Sequence, residues 1–233
     1  MRQLSVFIPV ESHDCPYLPD RQANSQYIDP RAELSGQDLS ELSRLGFRRS
    51  GRLVYRPACN NCSECRSIRL VLGEWSPSRN LKRLLRRAHH WELSVQPPND
   101  GDEYYALYER YINERHADGD MFPPSRATFR EFLTEHYGNT RFLCARYQGE
   151  LIGVLAFDQF DDGLSAMYCF YAPELDSHSV GTVMICRLNQ LATGLNLPYN
   201  YLGYLVDGCR KMEYKRRFRP LETIKSGHWQ SLD

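Results

Sequence analysis

Three cysteines at two-residue spacing form the densest set of reactive side chains in the sequence. They are Cys59, Cys62 and Cys65, and a fourth thiol, Cys15, stands in a Pro-punctuated segment nearer the N-terminus. Four cysteines suit tetrahedral zinc or an iron–sulfur cluster, and the spacing is denser than in paired zinc-ribbon motifs. We therefore expect a structural or regulatory metal site and leave the metal open. The alternative is free thiols in a surface turn.

Cationic side chains dominate the helix predicted for residues 77–90. Its apolar residues recur at helical spacing, and the rest of its surface carries five cations with no acidic neighbour. Such a face is often only solvated, but this density favours contact with the phosphates of a nucleic acid. These five cations are Arg79, Lys82, Arg83, Arg86 and Arg87.

Tyrosines and cations alternate in a second segment, residues 199–220. Aromatic stacking combined with phosphate neutralisation is how proteins hold single-stranded nucleic acid. The alternative is a strand and a helix whose tyrosines pack in the core, and for Tyr201 core packing is the better interpretation. The other residues of this pattern are Tyr204, Arg210, Lys211, Tyr214, Lys215, Arg216, Arg217 and Arg219.

Composition and charge set the class of protein. The 233 residues are 42% hydrophobic and 25% charged, and no apolar run approaches the ~20 residues of a membrane span. The N-terminus lacks a signal-peptide pattern, so we expect a cytoplasmic protein with reduced thiols. The net charge is zero, yet residues 1–98 hold five more cations than anions and residues 99–233 five fewer. A local basic surface is therefore compatible with the neutral total.

The elements that must position these residues follow an α+β order. Breaker residues at 97–101 and the change of charge predict a small Cys-rich, basic α/β domain, 1–98, and a second domain, 99–233. The second domain should have a mainly antiparallel sheet, compatible with a GNAT-like acyltransferase fold. Predicted helices are 35–45, 77–90, 102–115, 125–137, 179–194 and 211–218; predicted strands are 2–10, 52–56, 66–72, 141–147, 151–158, 164–171 and 199–204.

Several catalytic classes lack their motifs. There is no nucleophile elbow, Walker loop or HExxH sequence. An acetyltransferase needs a Gly-rich loop before its long helix for the CoA pyrophosphate, whereas residues 176–182 hold one glycine and neither Arg nor Lys. Acetyl-CoA is therefore not an expected substrate.

Linked motifs over residues 10–222 closely resemble the arginyl-tRNA–protein transferase family, and the length and cysteine spacing look most like its bacterial branch. The motifs carrying this resemblance are His13-x-Cys15-x-Tyr17-Leu18-x2-Arg21, Gly46-Phe47-Arg48-Arg49-Ser50-Gly51, Tyr55-Arg56-Pro57-x-Cys59-x2-Cys62-x2-Cys65, Pro77-Ser78-Arg79, Tyr201-Leu202-Gly203-Tyr204 and Lys211-Met212-x-Tyr214-Lys215.

The resemblance implies an enzyme of the N-degron (N-end rule) pathway that needs no cofactor for transfer. It would move an amino acid, leucine in the bacterial branch, from aminoacyl-tRNA to the α-amine of proteins with N-terminal Asp or Glu. Its C-terminal domain would be GNAT-like without using CoA.

The chemistry of that reaction indicates the site residues. Donors near a developing oxyanion and cations for an acidic acceptor are required, and Asp207, Glu213, the acceptor's carboxylate or a water could take the proton. The catalytic candidates are Tyr168, Tyr171, Tyr204 and Asp207; the acceptor-carboxylate candidates are Arg48, Arg49, Arg56, Lys211 and Lys215; the tRNA-binding candidates are Arg79, Lys82, Arg83, Arg86, Arg87, Arg216 and Arg217.

Three alternatives stay open at this point. Arginine could be the donated amino acid, because no leucine or arginine pocket is visible in the sequence. A non-catalytic RNA-binding module stabilised by a bound metal would share the basic and cysteine-rich features. An ordinary GNAT acetyltransferase would share the order of elements.

Overall fold

The computed structural model describes residues 3–119, 121–134 and 137–232. Within them the chain forms a small four-stranded sheet, a large eight-stranded sheet and a two-strand ribbon. The strands are β1 (Val6–Phe7), β2 (His13–Asp14), β3 (Gln22–Ala23), β4 (Ser25–Ile28), β5 (Arg48–Ser50), β6 (Leu53–Pro57), β7 (Arg66–Val71), β8 (Glu92–Gln96), β9 (Thr140–Tyr147), β10 (Glu150–Gln159), β11 (Gly163–Tyr171), β12 (Tyr199–Leu205), β13 (Leu221–Lys225) and β14 (His228–Ser231). The helices are α1 (Gly36–Arg44), α2 (Arg79–Arg87), α3 (Asp102–Arg115), α4 (Arg126–Phe129) and α5 (Val180–Gly194).

The large sheet has the order β14-β13-β7-β12-β11-β10-β9-β8, and its pairs are antiparallel except β11 with β12. The predicted α+β class with a mainly antiparallel sheet is confirmed. The β9–β10 hairpin turns at Gln148 and Gly149, both with positive φ, as two-residue hairpins of the type I′ class require.

Both faces of the large sheet are buried. Along β9, Leu143 and Ala145 belong to a core shared with α2 and α5, whereas Phe142 and Cys144 belong to a core shared with α3 and α4. Successive residues of a strand point to opposite faces, so this apolar run supplies both cores.

The small sheet has the order β1-β4-β6-β5, and it packs with α1 in a third core. That core also contains Phe160 and Tyr201 from the second half of the chain. Strands β7 and β8, which precede the predicted boundary at residue 98, pair with β12 and β9, which follow it. The large sheet is therefore built from both sides of that boundary.

Helix predictions were accurate where the amphipathic pattern was long. Helix α3 has the predicted bounds, and α1 is capped by Ser35 through a capping box. Helix α2 begins later than predicted, because Ser78 and not Ser76 accepts the capping hydrogen bond, from the backbone N–H of Leu81. No helix among the described residues is long and apolar enough to cross a membrane.

Two other helix predictions differ from the structure. The predicted helix 125–137 is α4 followed by a π-helical segment, Arg130–Thr134, and residues 135 and 136 lie outside the described residues. The predicted tail helix 211–218 is a short 3-10 helix, Glu213–Arg217. The predicted first strand includes Arg2, also outside the described residues, and β1 occupies only Val6–Phe7.

Candidate functional site

The parallel strands β11 and β12 separate soon after they begin. Their register runs from the Gly163–Tyr199 pair to the Ser165–Tyr201 pair and goes no further, while each strand stays paired with its other neighbour. Backbone groups beyond Ser165 and Tyr201 therefore face each other across an opening. In open sheets, ligands bind outside the carboxyl ends of parallel strands where such an opening forms.

Arg48 enters this opening from β5 of the small sheet. Its Nη2 donates a hydrogen bond of 3.1 Å to the carbonyl of Ala166, the first β11 residue beyond the paired region. Its guanidinium lies against Gly203 of β12, where any added Cβ would overlap it. Gly203 also has a φ of +75°, which favours glycine. The Tyr201-Leu202-Gly203-Tyr204 motif thus has a steric reason for its glycine.

Lys215 approaches β12 beyond the same opening. It is 7% exposed, and its Nζ donates a 2.5 Å hydrogen bond to the carbonyl of Tyr204. Burial, and then the neighbouring Arg48 guanidinium, lower the pKa of Lys215 to about 7. A buried lysine with such a pKa gains its proton most readily when an anion is bound beside it.

Arg48 and Lys215 share an electrostatic feature. Within the described residues, neither is within ion-pair distance of a carboxylate. Their hydrogen bonds to carbonyls use one N–H of each, so several donors stay available. Two adjacent cations of this kind can hold a carboxylate or a phosphate oxygen.

The three predicted catalytic tyrosines have different surroundings. Tyr204 is 2% exposed and its hydroxyl is within hydrogen-bond distance of the Gly46 and Tyr55 carbonyls, at 3.0 and 3.3 Å. It therefore joins the two sheets. The Tyr171 hydroxyl donates to Asp176, and burial raises its pKa to about 12.

Tyr168 stands beyond the last β11–β12 pair but contacts aromatic rings of the α3 side of the molecule. Its ring centroid lies 6.4 Å from that of Tyr111 and 5.3 Å from that of Phe132. Burial raises the pKa of its hydroxyl above the ordinary tyrosine value. As a neutral phenol it can donate a hydrogen bond but cannot act as a base near neutral pH.

Asp207, the fourth catalytic candidate, follows β12 and is held by two guanidinium groups. Its carboxylate pairs with Arg66 at 2.5 Å and with Arg216. Arg216 also lies 3.6 Å from Glu213, the other predicted proton acceptor. These contacts tie Asp207, Glu213 and Arg216 together at the surface, whereas Arg217 is exposed.

Three predicted acceptor-binding cations lie away from the opening or are engaged in the fold. Arg49 forms a buried ion pair with Asp158, in which both side chains are 3% exposed. Arg56 donates to Gln26 and stacks on the Phe47 ring. Lys211 is exposed, with Asp118 at 3.7 Å. The structure thus brings together Arg48 and Lys215 and gives the others separate contacts.

A cavity of about 310 Å³ adjoins the opening through Tyr204 and Val206 of β12. Its floor is one face of the small sheet, including Tyr27 and Tyr55, and residues 13–24 close it from the other side. Glu64 is its one carboxylate among the described residues. Sequence reasoning missed Tyr27 and this floor, although the Gln26-Tyr27-Ile28 run has a strand-like composition.

All four predicted metal-binding cysteines, Cys15, Cys59, Cys62 and Cys65, border this cavity as free thiols. Burial and the three other thiols raise the pKa of Cys65 to about 12. The four cysteines line one cavity, but no three His, Cys, Asp or Glu side chains in the described residues are close enough to hold a metal ion. We therefore derive no chemical step through a metal.

The five cations of α2 form an exposed basic surface. Leu81 and Leu84 face the core, and the cations occupy the remaining circumference. None of the five has an ion pair within the parts of the chain that the structure describes. This surface consists of Arg79, Lys82, Arg83, Arg86 and Arg87.

Comparison with known proteins gives consistent matches along the chain. The family model "Arginine-tRNA-protein transferase, N terminus" matches residues 13–83, and "Arginine-tRNA-protein transferase, C terminus" matches residues 103–225. A protein named aspartate/glutamate leucyltransferase from Marinobacter nauticus is 45% identical over 97% of this chain and 96% of its own. One of the same name from Alcanivorax borkumensis is 43% identical, over 96% and 93%.

Among solved structures, a GCN5-related glucosamine N-acetyltransferase region of a fungal multi-domain GH3 β-N-acetylglucosaminidase superposes with a TM-score of 0.48 and 13% identity. The match covers 80% of this chain and 21% of that chain.

Proposed function

The chain belongs to the arginine-tRNA-protein transferase family, and from this premise we propose that it transfers leucine from leucyl-tRNA to the α-amine of proteins with N-terminal Asp or Glu. The choice of leucine and of acidic acceptors follows the name that the curated relatives carry, aspartate/glutamate leucyltransferase. Such an enzyme would act in the cytoplasm, in the N-degron pathway of protein degradation.

One structural observation carries the proposal: Arg48 and Lys215, two cations with no carboxylate partner among the described residues, lie at the opening between β11 and β12. An acceptor that begins with Asp or Glu brings a carboxylate beside its reactive amine. Pairing that carboxylate with Arg48 and protonated Lys215 would select acidic N-termini and hold the amine at the opening.

The reaction would be aminolysis of an ester. The acceptor α-amine has a pKa of about 7.7–8.0, so a useful fraction is neutral near pH 7. It would attack the leucyl carbonyl, and the tRNA ribose hydroxyl would leave, taking the proton that the nitrogen loses. Most of the acceleration would come from holding amine and ester together and from donors near the oxyanion.

The donor tRNA needs a basic surface, and we assign its acceptor stem to the α2 cations defined above. The cations of α2 lie on its exposed side and have no competing carboxylates among the described residues, so their charge is available to phosphates. Arg217 is exposed and could extend this contact.

Neither CoA nor another cofactor is needed for this reaction, because the donor arrives as an activated ester. The turn before α5, where a CoA-dependent enzyme binds pyrophosphate, contains Glu174 and Asp176, which pair with Arg110 and Arg115. A CoA titration that leaves the melting temperature unchanged would support this expectation; a stabilising shift would favour an acetyltransferase.

A structural or regulatory metal at the four cysteines stays a prediction. Anaerobic purification followed by metal analysis and a visible absorption spectrum separates the cases. Zinc with no visible absorption would indicate a zinc site. Iron and sulfide with a visible absorption band would indicate an iron–sulfur cluster, and the absence of metal would indicate free thiols.

The deciding experiment supplies leucyl-tRNA and arginyl-tRNA in parallel, with peptides beginning Asp, Glu, Asn or Gln. Transfer of leucine to the Asp and Glu peptides alone is expected. Transfer of arginine alone would show that the transferred amino acid is arginine and not leucine. Salt-dependent tRNA binding with no transfer would instead identify a non-catalytic RNA-binding module.

A further inference from the structure

Four residues of the small sheet lie in one cross-strand row. Phe7 of β1 is opposite Tyr27 of β4, Tyr27 is opposite Tyr55 of β6, and Tyr55 is opposite Arg48 of β5. Directly opposed residues point to the same face, so three aromatic rings and one guanidinium follow each other across the sheet. Ring centroids are 5.6 Å apart for Phe7 and Tyr27 and 6.0 Å apart for Tyr27 and Tyr55.

The row runs from solvent to the opening between β11 and β12. Phe7 is 45% exposed, Tyr27 and Tyr55 are half-buried and line the cavity, and Arg48 reaches Ala166 of β11. A ligand lying along this face would therefore have one end at the surface and the other at Arg48 and Lys215.

The surroundings of the row favour an anionic ligand with flat rings. Arg21 borders the cavity, with its Nη1 3.4 Å from the sulfur of Cys62. Among the described residues it has no carboxylate partner, and Glu64 is the cavity's one acidic residue. Exposed aromatic rings on a sheet face, with a cation beside them, are the features that stack unpaired bases and neutralise the phosphates between them.

We propose that Phe7, Tyr27 and Tyr55 stack the unpaired 3′-terminal nucleotides of the donor RNA, so that its terminal ribose ester arrives beside Arg48. This inference rests on the proposed function, since an aminoacyl-tRNA presents its amino acid on a single-stranded 3′ end. It differs from the sequence prediction, which assigned base stacking to the tyrosines of residues 199–220. Tyr201 and Tyr204 of that segment are buried, at 5% and 2% exposure.

The test measures binding of a fluorescently labelled single-stranded RNA pentamer ending in CCA to the full-length protein. Phe7→Ala and Tyr27→Ala should each weaken binding about tenfold, whereas Tyr27→Phe, which keeps the ring, should bind like the wild type. Tyr147→Ala is the matched control, because Tyr147 is an exposed ring at the end of β9, in the large sheet and not in the row. Phe7 lies outside the three cores, so its replacement should leave the fold intact if Tyr27→Ala does not fold.

Steady-state kinetics then locate the effect. The KM for leucyl-tRNA should rise in Phe7→Ala and Tyr27→Ala while the KM for the acceptor peptide stays unchanged. A rise in the peptide KM with unchanged RNA binding would assign the row to the acceptor polypeptide and overturn the proposal. Unaltered pentamer binding in both alanine variants would overturn it as well.

Failure of this inference and failure of the proposed function are distinguishable. The pentamer assay needs no transfer reaction. If the protein showed no transferase activity but its RNA binding depended on the aromatic rings, base stacking by the row would be supported and the proposed leucine transfer would be rejected. If the protein transferred leucine but its RNA binding did not depend on the rings, the proposed function would be supported and base stacking by the row would be rejected.

Discussion

The guanidinium of Arg48 lies against Gly203, in the space that a side chain at position 203 would occupy. This contact joins β5 of the small sheet to β12 of the large sheet at the point where β12 has left β11. Arg48 therefore depends for its position on a glycine more than 150 residues away in the chain.

Gly203→Ala should displace Arg48 and reduce leucine transfer at least tenfold. The methyl group would overlap the guanidinium of Arg48. The φ of +75° at position 203 adds strain of about 1–2 kcal/mol for a residue with a Cβ. Gly194→Ala is the control, because nothing lies within 4 Å of a Cβ there and its φ is not in the positive region. Equal transfer rates for the two variants would show that the position of Arg48 is unimportant.

Arg48→Gln should raise the KM for peptides beginning Asp or Glu by at least about tenfold, because a charged hydrogen-bonded partner of the acceptor carboxylate is lost. Binding of uncharged tRNA should change little. Arg52→Gln, an exposed arginine stacked on Tyr137, controls for the loss of one positive charge nearby. If Arg48→Gln weakened tRNA and peptide binding equally, Arg48 would not be the specific carboxylate partner.

Asp158→Ala should destabilise the protein by about 3–5 kcal/mol, since it breaks the buried ion pair between Asp158 and Arg49. Replacing both residues, Arg49→Met with Asp158→Leu, should recover most of that loss. Glu174→Ala, which breaks the exposed pair with Arg110, should cost well under 1 kcal/mol. Urea denaturation measures the free energy of unfolding of all three variants. Similar losses of stability for Asp158→Ala and Glu174→Ala would contradict the expectation that breaking a buried ion pair costs more than breaking an exposed one.

Lys215 should make stability depend on pH. Its pKa is about 7 in the folded protein and about 10.4 in an unfolded chain, so between these values the unfolded chain binds the extra proton. The free energy of unfolding contributed by this group then rises with pH across that window and is constant below it. Relative to Lys215→Met, the wild type should gain up to about 1.4 kcal/mol per pH unit between pH 7 and 10. Parallel stability curves for the two proteins from pH 5 to 9.5 would rule this out.

Alanine substitutions on the basic surface of α2 should weaken tRNA binding and its dependence on salt. Each phosphate contact that is removed lowers the slope of log K against log salt by about 1, so Arg83→Ala with Arg87→Ala should lower it by about 2. Arg110→Ala with Arg115→Ala, which removes two α3 arginines already paired with Glu174 and Asp176, is the charge-matched control. An unchanged slope in the α2 variant would assign the acceptor stem to another surface.

Secondary structure was predictable where the pattern is local and long. Helix α3 was predicted with its bounds because apolar residues recur through fourteen residues after a breaker segment. The short strands β4, β13 and β14 were not predicted, because four or five residues carry too little periodicity to separate a strand from a loop. Strands β4 and β13 are stabilised by pairing with β6 and β7, and β14 by pairing with β13.

The site was predicted in its residue types and only partly in its geometry. The four cysteines were expected to converge, and they border one cavity. Arg49 was indistinguishable from Arg48 in sequence, yet adjacent residues of a strand face opposite sides, so Arg49 pairs with Asp158 while Arg48 enters the opening.

The amino-acid sequence by itself determined the family, because its motifs are contiguous and follow one another in the family's order. Only the tertiary structure decided which side chains act together. The row of Phe7, Tyr27, Tyr55 and Arg48 exists because four strands pair in a particular register. Strand register depends on contacts between residues far apart in the chain, and a local pattern of residues does not contain that information.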